Sequence, residues 1–154
     1  MKSTILLWLA RGLGSGQLKP APGTWGSAAA MLIGTAWYLL GGGIPLWFIV
    51  LAAVAGVYIC QQGEQILGKE DPGEIVWDEF VGMWISMWAV PLWAIPIAFA
   101  LFRFFDISKI GPIYTIQELH GGLGVMADDI LAGIFSRLVL AGVIYAVTMM
   151  MPAV

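Results

Sequence analysis

Charge in this 154-residue chain is confined to a few short stretches, and the long runs between them are apolar. Only 17 residues are Lys, Arg, Asp or Glu, against 60% hydrophobic residues and eight Trp. A water-soluble domain of this size spreads charge over its whole surface, so the pattern predicts a polytopic membrane protein. In lipid every backbone polar group must be satisfied internally, which makes the fold class all-α, an integral membrane helical bundle forming one domain over residues 1–154. The net charge of −3, with no basic patch to neutralise a phosphate backbone, excludes a nucleic-acid partner. Cys60 is the only cysteine and reads as a small buried thiol.

About 20 apolar residues are needed to cross a bilayer core of about 30 Å. The first such segment runs from about Thr24 to Leu40 and the second from Ile44 to about Gln61, turning at Gly41-Gly42-Gly43 and Pro45. The block from Ile75 to Phe105 is too long for one span, and Pro91 and Pro96 divide it into helices of about Val76–Val90 and Leu92–Phe105, both short. A last span covers about Asp129 to Met151. The segment Ile5–Leu13 is too short to cross and is expected to lie at the interface or re-enter the bundle, and with Arg11 interrupting it, it is not a cleavable leader. Under these five crossings, Gly41–Pro45, Pro91–Pro96 and Met151–Val154 carry no charge at all. Lys2, Arg11, Lys19, Lys69, Arg103 and Lys109 then share the opposite face, which the positive-inside rule makes cytoplasmic. Arg137, two turns into the last span, is the exception and is expected to snorkel or to pair with an acid.

Carboxylates beside lipid are costly, so they mark a site with a partner cation or water. Asp78-Glu79 and Asp128-Asp129 are adjacent acidic pairs expected at the mouths of apolar helices, each followed at four residues by a glycine, Gly82 or Gly133. At Gly82 the small residue leaves room for a ligand. Complementing the helix dipole would contribute only about 0.3–1 kcal/mol, less than the several kcal/mol that burying the charge costs. Arg103, Asp106 and Lys109 recur at three-residue spacing, which suits a phosphate. The glycine-rich entry Gly14-Ser15-Gly16 and Thr24 form either an anion-binding loop or a plain helix cap, with Thr24 as N-cap. Oxygen-only ligands favour Mg²⁺ or Mn²⁺ over zinc, for which the single His120 is too little; His120 is a loop residue or a group near phosphate.

Four ordered motifs, Gly14-Ser-Gly16 with Ala21-Pro-Gly-Thr-Trp-Gly-Ser27, Ile75-Val-Trp-Asp-Glu-Phe-Val-Gly82, Phe102-Arg-Phe-Phe-Asp106 with Lys109, and Gly121-Gly-Leu-Gly-Val-Met with Asp128-Asp-Ile-Leu-Ala-Gly133, resemble the phosphatidylglycerophosphatase A family across nearly the whole chain. The resemblance implies a Mg²⁺-dependent lipid phosphatase of the bacterial inner membrane that converts phosphatidylglycerophosphate to phosphatidylglycerol and phosphate. It casts Asp78, Glu79, Asp106, Asp128 and Asp129 as catalytic candidates, with Asp78, Glu79, Asp128 and Asp129 as metal ligands. Arg103, Lys109, Gly14, Ser15, Gly16, Thr24 and His120 become candidates for binding phosphate. The stretch Lys109-Ile-Gly-Pro112 departs from the family pattern, which usually has Lys-Pro there. The competing reading is a small cation channel or carrier lined by the same acids, which would want polar groups on both faces. Glycine faces at Gly133 and Gly142 are suited to packing helices within a subunit or between copies in a homo-oligomer.

Overall fold

The computed structural model describes residues 2–116 and 119–150, and these form helices and turns with no strand among them. The helices are α1 (Lys2–Ala10), α2 (Pro22–Gly41), α3 (Leu46–Leu67), α4 (Trp77–Ser86), α5 (Ile95–Ser108), α6 (Pro112–Ile116) and α7 (Gly121–Met150). Tight 3-10 turns occupy Gly12–Gln17 and Leu92–Ala94. Met1, the side chain of Lys2, Gln117, Glu118 and Met151–Val154 lie outside the described residues, so the expectations placed on Lys2 and on the C-terminal tail fall there.

Local chemistry sets these ends. Pro22 opens α2 in the first turn, where its missing N–H costs nothing, and Gly42 closes it in the left-handed conformation with its N–H on Tyr38 O. Gly68 closes α3 in the same way, with its N–H on Glu64 O. Two expectations are corrected here. Thr24 is not an N-cap: Ala21 occupies that position without a side-chain bond, and Thr24 lies inside the first turn. Asp128-Asp129 is not at a helix mouth either, because α7 starts at Gly121 and the pair sits about two turns inside it. The run Gly121-Gly-Leu-Gly reads as a loop by composition, yet Gln61 Oε1 accepts the Gly122 N–H at 3.0 Å, and Gly122 packs so closely on Val57 and Gln61 that a side chain would not fit.

By length and composition α3 and α7 are apolar enough to cross a membrane, and α2, with 20 residues, is about 30 Å long. The expected pair of short helices is shorter still. Trp77–Ser86 is ten residues, about 15 Å, and Ile95–Ser108 is about 21 Å, both below the thickness of a bilayer core.

The short α4 is the centre of the bundle, packed by α2, α3, α5 and α7. Phe80, Val81, Gly82, Met83, Trp84 and Ser86 are all buried. Its neutral polar side chains are satisfied by neighbouring backbone: Trp84 Nε1 donates to Ala30 O at 3.0 Å, Trp77 Nε1 to Ala52 O at 3.2 Å and Ser86 Oγ to Ala98 O at 3.0 Å. Against α7 the approach is backbone to backbone. A Cβ on Gly82 would lie 2.6 Å from Asp129 O, and one on Gly133 would lie 3.1 Å from Gly82 Cα. The room expected beside Gly82 for a ligand is taken by α7 and the Phe102 ring. Gly142, the other glycine expected in a helix contact, faces open space. The outer surface is apolar, with Leu32, Leu39, Val54, Leu138, Tyr145 and Met149 exposed.

Candidate active site

The first turn of α4 and the third turn of α7 bring Asp78, Glu79 and Asp129 together, so that one carboxylate oxygen from each lies within 4.8 Å of the others. Asp78 is 8% exposed and Asp129 2%. Asp78 Oδ1, Glu79 Oε2 and Asp129 Oδ2 are buried and have no hydrogen-bond partner among the described residues. Buried carboxylates without donors are expensive, since each would be served by water outside the protein.

Around this cluster stand the cations. Arg103 Nη1 on α5 donates to Asp106 Oδ2 at 2.5 Å and to Ser27 Oγ on α2 at 3.3 Å, and its Nε is buried without a partner among the described residues. A Cβ on Gly23, in the first turn of α2, would clash with Glu79 Oε1 and lie 3.3 Å from Arg103 Nη1, so Glu79 would have to shift. The first N–H groups of α2 have no intrahelical acceptors, and no side chain among the described residues caps them. Lys109 closes α5 in the left-handed conformation (φ 46°, ψ 41°), which turns its side chain back toward α7. Its Nζ lies 3.0 Å from Asp106 Oδ1, 2.5 Å from Asp128 Oδ2 and 3.8 Å from Asp129 Oδ1. Burial disfavours the ammonium, but Asp129, Asp106 and Asp128 outweigh it and raise its pKa, so Lys109 stays charged.

Of the four acids grouped from the sequence, three meet and Asp128 turns aside to Lys109. Asp106, 9% exposed, is clamped between Arg103 and Lys109. Gly14, Ser15 and Gly16 are placed elsewhere. Ser15 Oγ bonds Gly12 O at 2.7 Å, Gly16 abuts the Glu74 carbonyl, and Arg11 pairs with Glu74 at 2.6 Å, which ties this turn to the entry of α4. His120 is exposed and lines a cleft of about 370 Å³ with Glu64, Glu70, Asp71, Lys109 and Asp128. Among the described residues Arg137 pairs with no acid; its Nε donates to Trp88 O at 2.7 Å. Sequence reasoning missed Gly23 as a contact of Glu79 and Glu64 as a buried acid, which accepts the Asp71 N–H at 2.8 Å. The signal for Gly23 was present in Pro-Gly-Thr, where a glycine inside a helix start is costly unless something must come close.

The sequence pattern of the family described as Phosphatidylglycerophosphatase A matches residues 8–144, a stretch that holds every member of this cluster. The chain belongs to the phosphatidylglycerophosphatase A family. A phosphatidylglycerophosphatase A of Haemophilus influenzae is 48% identical over 142 residues, 89% of this chain and 87% of the relative. The Escherichia coli phosphatidylglycerophosphatase A is 42% identical over 144 residues, covering 89% and 80%. A protein of Bacteroides thetaiotaomicron named putative phosphatidylinositol-3-phosphatase is 41% identical over 152 residues, covering 90% and 93%. No solved structure matches the chain.

Proposed function

We propose that this family member hydrolyses the terminal phosphate of phosphatidylglycerophosphate, giving phosphatidylglycerol and inorganic phosphate, with Mg²⁺ as cofactor and Mn²⁺ as a substitute. The observation that carries the proposal is the meeting of Asp78, Glu79 and Asp129 beside Arg103, within the region that matches the family. The chain acts as one membrane-embedded domain, multi-pass in the bacterial inner membrane, with its charged end in the cytoplasm. The apolar outer surface and the clustering of Arg11, Lys69, Arg103 and Lys109 away from the uncharged Gly41–Pro45 turn support that orientation.

The residues fit the cofactor. Three all-oxygen side chains from two helices converge, and each keeps a buried atom that no donor among the described residues serves. Asp78, Glu79 and Asp129 would hold the cation, which when bound supplies charge neutralisation for the phosphate and lowers the pKa of water. The remaining chemistry belongs to the chain. Arg103, whose Nη1 lies with Glu79 Oε1 against Gly23 and whose buried Nε has no partner among the described residues, would orient phosphoryl oxygens together with the uncapped N–H groups at the start of α2. Asp106 and Ser27 hold the Arg103 guanidinium, and Lys109 holds Asp128 beside Asp129. Catalysis of phosphoryl transfer is largely such positioning and charge stabilisation, whether water attacks the phosphorus in line directly or hydrolyses an aspartyl-phosphate formed on one of these acids.

The test is phosphate release by purified protein in detergent, with and without Mg²⁺. The substrates are phosphatidylglycerophosphate, phosphatidic acid and phosphatidylinositol 3-phosphate, the last because of the Bacteroides relative. Metal-dependent release that is fastest from phosphatidylglycerophosphate is expected. Release from none of the lipids would move the acids to the cation-carrier reading, and preference for the inositol lipid would reassign the substrate.

A further inference from the structure

Arg137 is the one charged residue of the long apolar part of α7, and the acid cluster does not account for it. It lies eight residues beyond Asp129, about 12 Å further along the helix, in an otherwise uncharged stretch running to Met150. A lone guanidinium in such surroundings is costly, so its bond partner is informative. That partner is the main-chain carbonyl of Trp88, just past the end of α4, at 2.7 Å from Arg137 Nε. The backbone there has already left the helix, and Ala89 follows at φ 51°. The cavity beside the contact, about 180 Å³, is otherwise lined by Leu46, Ile49, Ile85, Ile134 and Leu138. The bond lies at the surface of the bundle, with Trp88 38% exposed, and Arg137 supplies the donor that this carbonyl lost where the helix ended.

We infer that Arg137 is a positioning residue: it anchors the C-terminal end of α4 to α7 and thereby sets where the other end of α4 presents Asp78 and Glu79. The helix between the two ends is only ten residues long and behaves as a rod, so a slip at Trp88 is delivered to Asp78 and Glu79. Two points then locate α4 on α7: the glycine crossing at Gly82 and Gly133 sets how closely the helices approach, and the Arg137 bond opposes α4 sliding or rotating about that crossing. A cation at a helix C-terminus also complements the helix dipole. The functional consequence of this anchor rests on the proposed metal site.

The experiment compares wild type with Arg137→Met, which keeps the long apolar stem without the donor, and with Arg137→Lys, which keeps a donor of different reach. In Arg137→Met, kcat on phosphatidylglycerophosphate is expected to fall about ten-fold with KM unchanged. The Mg²⁺ concentration for half-maximal activity, and that for half-maximal thermal stabilisation by Mg²⁺ alone, are both expected to rise several-fold. Arg137→Lys should recover part of each. Lower thermal stability with kcat and both midpoints unchanged would reduce Arg137 to a structural role and overturn the inference. A change confined to KM or to the dependence on vesicle lipid would make it a lipid contact, which overturns the inference equally. Should Arg137→Met not fold, the Lys variant carries the test, and wild-type values in it would refute the need for the guanidinium bond. Wild-type protein that releases no phosphate with Mg²⁺ would instead sink the proposed function, leaving the Mg²⁺-alone stabilisation midpoints to judge the anchor.

Discussion

Replacing Gly82 with Ala tests whether helix contact sets the spacing of the acids. The new Cβ would lie 2.6 Å from the carbonyl oxygen of Asp129 and 2.5 Å from the Phe102 ring. The ring has some freedom to tilt, but the carbonyl belongs to a helix backbone. Restoring an ordinary contact of 3.4 Å requires α4 and α7 to separate locally by about 0.8 Å. Overpacking of this kind costs typically about 1–3 kcal/mol, which a helical bundle of this size tolerates. On the proposed reading the functional cost is larger, because the displaced carbonyl is that of Asp129 itself, one of the three residues whose oxygens would share a cation. Mg²⁺ demands near-ideal octahedral geometry at about 2.0–2.1 Å, and an error of about 1 Å in a reacting geometry is worth up to about 100-fold in rate. Gly82→Ala is therefore expected to fold in detergent with a modestly lowered melting temperature, to lose about 10- to 100-fold in kcat, and to need about ten-fold more Mg²⁺. Gly142→Ala, where nothing lies within 4 Å, is the matched control and is expected to be neutral or slightly stabilising. Wild-type kcat and Mg²⁺ dependence in Gly82→Ala would refute this reasoning, as would an equal loss in Gly142→Ala.

Three further outcomes follow from the site. Asp129→Asn and Asp78→Asn should each lower phosphate release by more than about 1000-fold. Without metal they should melt no lower than wild type, because each removes a charge from a repelling set, and they should lose the rise in melting temperature on adding Mg²⁺, checked by thermal scans. Lys109→Met leaves Asp106, Asp128 and Asp129 without their shared ammonium, so activity should fall at least about ten-fold, with partial recovery in Lys109→Arg measured by the same phosphate assay. Gly23→Ala places a methyl group on Glu79 Oε1 and beside Arg103 Nη1, and is expected to reduce kcat about ten-fold or more while unfolding at close to the wild-type temperature.

The acids of the candidate site were legible because their expense is legible: an acid pair in an apolar run such as Asp78-Glu79 stands out in any reading of the chain. Apolar length and Pro and Gly punctuation placed both ends of α2 and the start of α3 within about two residues, but α3 runs six residues past the expected Gln61, to Leu67. The start of α7 was hidden because Gly121, Gly122 and Gly124 have poor helix propensity, and the packing that overrides it, against Val57, Gln61 and Leu119, involves residues far away in sequence or in the turn before it. The partner of Arg137 was hidden for a related reason. Side-chain charges can be paired on paper, but a main-chain carbonyl that a turn happens to free is invisible until the turn is known. Lys109 is a third case: spacing gave its neighbour Asp106, which it keeps, but not its second partner Asp128, which its left-handed backbone brings within reach.

The placement of Asp129 about two turns inside α7 also bears on which phosphates can be reached. Above it stand the first turns of α7 and the polar end of α3, joined where Gln61 accepts the Gly122 N–H, so the acids lie about 12 Å below the start of α7. On the proposed reading, a phosphate carried on a glycerol arm can descend to the acids while its ester groups stay at the interface. A phosphate attached directly to the diacylglycerol has no such arm and would have to drag its esters down with it. On that reading the length of α7 above the acids would gauge headgroup length, and selectivity between the two lipids would need no side chain that recognises glycerol.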